Sequence, residues 1–338
     1  MKNVQYNFIP GLKLCEDFYF GVVKPLLDKE FPSLVYSAAL IGYGSDVLGY
    51  DNPTSMDHNW GPRMQIFLPE KDVINYTDKI NVFLRQNLPP EFMGFPTNFS
   101  LPRYDHTQTM ELKSSPPINH LIEIVCLETY IKKYLGDINI DEMELTDWIN
   151  LNDQQLLEIT SGRVFYDGLG TLIPLREKFQ FYPWEVWIFR LAQYWKQIQD
   201  EEPFIGRCIE NDDFTGLKIL AARLTETIMK ICFYIEKRYI PYGKWFGSAF
   251  NRLDCYSNVG ELADTVLTEN EPARIESGLC RLYERTVELH NMRGELPALD
   301  NHIRDFFGRP YRVIFAETIA ATLMESITDP ELLKLLLD

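Results

Sequence analysis

The sequence is poor in the features that usually announce a function. Its six cysteines form no C-x-x-C pair, and its five histidines have no metal-ligand spacing. That argues against a zinc site and against a disulfide framework. Most of the cysteines lie in apolar stretches such as LIEIVCLETY and IMKICFYIE, and read as reduced core thiols. No apolar run is long enough to cross a membrane. The opening MKNVQYNFIPGLKL lacks the apolar core of a signal peptide, so a cytoplasmic protein is expected. Basic residues are also scarce: 33 Lys and Arg against 49 Asp and Glu leave a formal charge of −16. Holding long nucleic acid nonspecifically needs clustered Lys and Arg, so that class is disfavoured. A small phosphorylated ligand in a local basic pocket remains compatible with this charge. There is neither an internal repeat nor a low-complexity tract.

What is present is ordinary globular material, 46% hydrophobic and 13% aromatic over 338 residues. That length allows one large domain or two of ordinary size. Apolar spacing predicts a helix over 12–27, a short buried strand over 34–41 and a second strand over 64–68. An amphipathic helix follows over 72–88 and stops at Pro89-Pro90. A Pro- and Ser-rich stretch leads to a third strand candidate, INHLIEIVCL. Residues 162–174 read as a Gly-punctuated strand and turn. From about Tyr182 onward nearly every segment has helical period, which predicts a bundle. The expected fold class is therefore α+β, a mixed sheet with helices followed by an all-α domain. The boundary is placed at 150, giving an α/β domain over 1–150 and a helical domain over 151–338.

The densest stretch is Gly42 to Arg63, GYGSDVLGYDNPTSMDHNWGPR. A strand, a Gly-Ser corner, and a D-x-D-like pair at the head of a second strand is the order of a nucleotidyl-transfer site. That chemistry is positioning and charge neutralisation, with two divalent ions about 3.5–4 Å apart holding the attacking and leaving oxygens. Magnesium takes oxygen ligands, so two or three carboxylates suffice. Gly44 and Ser45 offer backbone N–H groups and a hydroxyl to phosphates. Asp57 and Asn59 are the i, i+2 pair, with an amide where a second carboxylate is expected. Glu123 alternates outward in LIEIV and is the third metal-ligand candidate, and Arg63 suits bidentate phosphate pairing. Each also has a plainer reading: a tight turn, a cap, an acid paired with an arginine. GYGSDVLGY lacks the G-K-[ST] of a P-loop and the spacing of a dinucleotide fingerprint. In the helical part, PYGKWFGSAF sets Lys244 beside Tyr242 and Trp245, a candidate phosphate contact with flanking rings. Arg207 and the group Arg176, Lys178 and Trp184 are weaker candidates. Trp187, Phe189 and Trp195 read as helix-packing core.

Three motifs together, GSDVLGYD…DHNWGPR, YPWEVWIFRLAQYWKQI…EPFIGR and PYGKWFGSAF, resemble the DUF4037 proteins. These are bacterial proteins assigned to the nucleotidyltransferase (polymerase-beta-like) fold superfamily. The resemblance runs from about Gly11 to Leu289. It implies a nucleotidyltransferase-fold domain using Mg2+ or Mn2+ and a nucleoside triphosphate. Asp57, Asn59 and Glu123 would be the catalytic and metal positions, and Gly44, Ser45, Arg63 and Lys244 the nucleotide-binding ones. The acceptor would be a hydroxyl of a small molecule, RNA or protein. Asn59 departs from the superfamily pattern: an amide oxygen ligates a cation but brings no charge. Asp46 or Asp51 would have to supply what is missing. The alternative is a nucleotide-binding sensor or interaction protein that kept the fold and lost the chemistry. A third reading, an enzyme modifying tRNA ends, fits the acidic charge poorly.

Overall fold

A computed structural model describes residues 7–337. In chain order, α1 (Gly11–Phe18) passes through a π-helical turn, Tyr19–Val23, into α2 (Lys24–Glu30). Strands β1 (Ser37–Leu40) and β2 (Arg63–Leu68) follow, then α3 (Glu70–Asn87). The short hairpin β3 (Glu91–Phe92) and β4 (Phe95–Pro96) precedes β5 (Leu121–Cys126) and α4 (Leu127–Leu135). Next come α5 (Leu145–Asn150), α6 (Asp153–Thr160), β6 (Arg163–Asp167) and α7 (Leu172–Lys178). The remainder is α8 (Trp184–Glu210), α9 (Phe214–Ile235), α10 (Gly243–Phe250), α11 (Tyr256–Thr268) and α12 (Pro272–Met292). A second short pair, β7 (Arg304–Asp305) and β8 (Arg312–Val313), leads to α13 (Ala316–Met324) and α14 (Pro330–Leu337).

The chain divides into two compact units, one of residues 1–139 and 155–180, the other of 140–154 and 181–338. A single cut at 150 therefore does not describe it. The first unit is mixed α+β. Its four-stranded sheet has the order β5-β2-β1-β6, with β2 and β5 parallel and both β1 pairings antiparallel. Strand alternation divides the side chains between two faces. Ala38, Leu40, Met64, Ile66, Leu68 and Ile122 join the core, together with Phe18, Val23, Leu27, Ile80 and Leu84 from α1 to α3 and the turn between them. The opposite face carries Ser37, Arg63, Gln65, Phe67 and Glu123, with Gln65 and Glu123 register partners. Phe67 packs edge-on against Tyr130 of α4, ring centroids 5.3 Å apart. Strand β6 is held at its far end by Asp167, whose carboxylate accepts from Ser37 Oγ (2.6 Å) and from the N–H of Ile173 in α7 (2.9 Å).

The second unit is helical. In α8, Trp187, Phe189 and Trp195 are buried core residues, as their spacing implies. Helix α8 also runs past residue 199, where the apolar pattern fades, and carries Pro203 inside it. The preceding residue, Glu202, is buried and accepts from the N–H groups of Ile314 (2.8 Å) and Ala316 (2.9 Å). Phe315 between them is left-handed, φ 60°, a costly conformation for a bulky residue that those bonds hold in place. Residues 304–308, within the stretch expected to be helical, form β7 and a 3-10 turn instead. Helices α5 and α6 are separated at Leu151 and Asn152. No helix among the described residues is long and apolar enough to cross a membrane.

Candidate functional site

The Gly42–Arg63 loop lies in the first unit and is tied down at nearly every polar residue. Strand β1 ends at Leu40, and the next two residues are clamped. Ile41 N–H donates to Gln65 Oε1 (3.1 Å), and Ile41 carbonyl accepts from Tyr130 Oη (3.0 Å). Gly42 N–H donates to the carbonyl of Glu158 (2.8 Å). Gly42 has φ +93°, and a Cβ there would collide with the hydroxyls of Tyr130 and Tyr134. Residues 44–50 then close a tight turn: Leu48 N–H reaches Gly44 carbonyl (3.1 Å) and Tyr50 N–H reaches Ser45 carbonyl (2.7 Å). Ser45 is half-buried on this turn. Among the described residues, no protein acceptor takes the N–H groups of Gly44, Ser45 or Asp46.

Arg63 sits beneath this turn, almost fully buried. Its Nη2 and Nε bond the two carboxylate oxygens of Asp46 at 2.6 and 3.2 Å, and Nη2 also reaches Tyr43 carbonyl at 3.1 Å. Burial works against the guanidinium charge, but the Asp46 carboxylate more than offsets it and drives the Arg63 pKa upward. The guanidinium expected to meet phosphate is thus turned inward, where it fixes the turn. Its charge stacks on the half-exposed Tyr43 ring, 5.3 Å from the centroid.

The acids divide into committed and accessible ones. Asp46 is 2% exposed and belongs to Arg63. Asp51 Oδ2 accepts from Gly11 N–H (2.7 Å) and Trp60 Nε1 (3.0 Å). Neither is placed to replace the carboxylate missing at residue 59. Asn59 is left-handed, φ 47°, a conformation asparagine tolerates well. Its N–H donates to Gln108 carbonyl (2.7 Å) and its Oδ1 accepts from Gln108 N–H (2.8 Å), so the amide is a loop tie. Asp57 ends a 3-10 turn, Pro53–Asp57, exposed and paired among the described residues with His58 Nδ1 at 2.9 Å. Glu123 is half-exposed on β5 and ion-paired with Lys133 of α4. Asp57 and Glu123 are therefore the accessible carboxylates of the expected set. Among the described residues, no group of three or more His, Cys, Asp and Glu is arranged to hold a metal ion. With Asn59 Oδ1 already accepting a backbone bond, these donors do not fit a two-ion centre.

Lys244 is in the second unit, exposed at the start of α10, with its ammonium 4.9 Å from the Trp245 ring centroid. Arg176 is committed to backbone, its Nη2 donating to the carbonyls of Thr160 (2.5 Å) and Ser161 (2.9 Å). Two residues of the turn's clamp went unremarked in the sequence, Gln65 and Tyr130. The signal for Gln65 was a lone amide inside the apolar strand MQIFL. The described cysteines are all free. Cys15 is fully buried against Gly61 carbonyl, and burial, helped by Asp46, pushes its thiol up to about 12.

Residues 148–246 match the model of a family described as "Domain of unknown function (DUF4037)". The match supports the resemblance over that stretch, which holds the second motif and the first part of the third, up to Phe246, and the Gly42–Arg63 loop lies outside it. Comparison with curated proteins finds no match.

Proposed function

We propose that the first unit is a nucleotide-binding module of the nucleotidyltransferase type that has kept the fold and lost the transfer chemistry. The observation that carries this reading is the engagement of Asn59. The residue standing where a second carboxylate is needed is neutral, and its oxygen is already bonded to Gln108 N–H. The aspartates nearest in sequence, Asp46 and Asp51, are engaged elsewhere. Phosphate binding is supported by the Gly44-Ser45 turn, whose successive N–H groups lack protein acceptors among the described residues and would be donors for an anion. The strand order supports the fold type: the turn follows β1, the Asp57-Asn59 pair precedes β2, and Glu123 stands on the parallel neighbour β5. Such a module would report nucleotide level to a partner, and no acceptor need be modified.

The active enzyme is the second reading, favoured by the exposure of both Asp57 and Glu123. It would use Mg2+ or Mn2+ and move a nucleotidyl group to a hydroxyl of a small molecule, RNA or protein. One experiment separates the two. The protein is titrated with each nucleoside triphosphate, with Mg2+ or Mn2+ and a cell extract as acceptor source, while binding, label transfer and pyrophosphate are followed. The proposal expects saturable binding without pyrophosphate, and pyrophosphate gained in Asn59→Asp. Transfer by the native protein that Asp57→Ala abolishes would establish the enzyme. Absence of binding by any nucleotide would refute both.

A further inference from the structure

The helical unit contains a hollow that the nucleotide reading does not use. Its volume is about 310 Å³, and every residue around it lies between Asn152 and Tyr242, within the stretch matched by the family model. That volume is at the small end for ligand pockets, which run from roughly 300 to 1,000 Å³. It suits a one-ring molecule better than a triphosphate.

The polar groups around it are unevenly satisfied. Asp153, on its rim, accepts from Tyr182 Oη (2.7 Å), Tyr234 Oη (2.8 Å) and Ile240 N–H (2.8 Å). Three donors, one of them backbone, make that carboxylate an architectural anchor. Arg190 is the opposite case. Its Nη2 donates to the carbonyls of Ile149 (2.7 Å) and Leu151 (3.1 Å), which orients the guanidinium. Its Nε is buried without a hydrogen-bond partner. Among the described residues no carboxylate lies within ion-pair distance of Arg190. Lys230 also lines the hollow, and its ion pair among the described residues is with the exposed Glu226 one helical turn away at 2.7 Å, an intrahelical pair that a ligand's anion can replace. Around these two cations stand the rings of Tyr194, Tyr234 and Tyr242. Tyr194 and Tyr234 meet edge to face at 5.3 Å, and Tyr242 is half-exposed at the mouth.

A guanidinium oriented by backbone carbonyls and outside any described ion pair, a second cation and a wall of rings define a ligand chemistry. The geometry points to a binding site for a small ring-bearing anion, with its carboxylate or phosphate on Arg190 and Lys230 and its ring against the tyrosines. This goes beyond the nucleotide reading and does not depend on it, since no residue of the Gly42–Arg63 loop takes part.

The test titrates the full chain with benzoate and phenyl phosphate, the carboxylate and phosphate forms of the same shape, and with inorganic phosphate and phenol as single-feature controls. Binding is read by calorimetry and by ligand-observed NMR. At least one ring-bearing anion should saturate, about tenfold tighter than either control. Lys230→Gln should weaken it several-fold and Arg190→Gln about tenfold or more, and raised salt should weaken it further. Because Arg190 also holds two backbone carbonyls, Lys230→Gln, with an unchanged melting curve, is the decisive variant. Failure of both anions to saturate at about 10 mM, or equal affinity in native and Lys230→Gln protein, overturns the proposal.

Discussion

Replacing Asp46 by alanine tests the most exacting interaction in the Gly42–Arg63 loop. Arg63 is 4% exposed and Asp46 2%, and among the described residues the guanidinium donates three hydrogen bonds, two of them to that carboxylate. Asp46→Ala leaves a buried charge facing one carbonyl. Removing one partner of a buried pair costs about 3–5 kcal/mol, two to four orders of magnitude in the unfolding equilibrium. Against a typical total of about 5–15 kcal/mol, that would leave the α+β unit marginal. The paired replacement Asp46→Leu with Arg63→Met removes both charges and fills the space with apolar atoms, so it should cost less than Asp46→Ala alone. Urea denaturation gives the global values. Hydrogen exchange over 42–63 tells whether the α+β unit is the one that loosens. A loss below about 1 kcal/mol for Asp46→Ala, or a double variant weaker than the single one, would refute the claim that the pair is desolvated and mutually dependent.

The remaining predictions concern the same turn, one thiol and two buried titrating groups. Gly44→Ala should destabilise by more than about 1 kcal/mol in denaturant titrations, because φ is +131° and a Cβ would collide with both Asp46 and Arg63. Cys15 should resist thiol reagents near pH 8 in the folded protein and react in urea, with mass spectrometry locating the label. Burial drives His290 down to about 4, its bond to Pro297 carbonyl notwithstanding, so the unfolded chain takes up its proton first and stability falls as pH drops from about 6.5 to 4. Burial drives Glu202 up to about 7 against its backbone donors, so its contribution is present below about 4.5 and fades as pH rises to 7. The two slopes oppose each other between about pH 4.5 and 6.5, each worth roughly 1.4 kcal/mol per pH unit. His290→Gln should therefore expose a fall in stability with rising pH across that window, read from urea midpoints, and an unchanged profile would refute the pairing.

Local pattern accounts for most of the elements that sequence reading recovers. The strands expected at 34–41, 64–68 and 118–127 are β1, β2 and β5: β1 and β5 are trimmed at both ends, and β2 begins one residue earlier, at Arg63. Their apolar runs between Gly and Pro signals leave few alternatives. The pairing of β1 with β6 across more than a hundred residues left no such mark, because antiparallel partnership is a long-range fact that periodicity does not carry. Helix α8 continues to Glu210, beyond the point near 199 where its apolar pattern fades, for a related reason. Glu202 is a core acid there only because Ile314 and Ala316 bring it two N–H groups from more than a hundred residues away. The loop at 42–63 shows the same limit. Its aspartates look interchangeable on paper, yet Arg63 claims Asp46, Gly11 and Trp60 claim Asp51, and Asp57 stays exposed. Which acid is a ligand and which is a strut depends on partners that the spacing does not name.

The division of the chain has a consequence for how this protein can be dismantled or inherited. The backbone passes from one unit to the other three times, after residues 139, 154 and 180. A stop codon after 139 would delete β6 and bare one edge of β1, a ready template for pairing with other chains. A start at 181 would strip the helical unit of Asp153 and so of the acceptor for Tyr182, Tyr234 and Ile240. On the ribosome, the sheet cannot close until Asp167 has emerged, by which time residues 140–154 are already waiting for helices not yet synthesised. A single genetic breakpoint cannot release either half intact, so the two units are bound to be gained, lost and folded together.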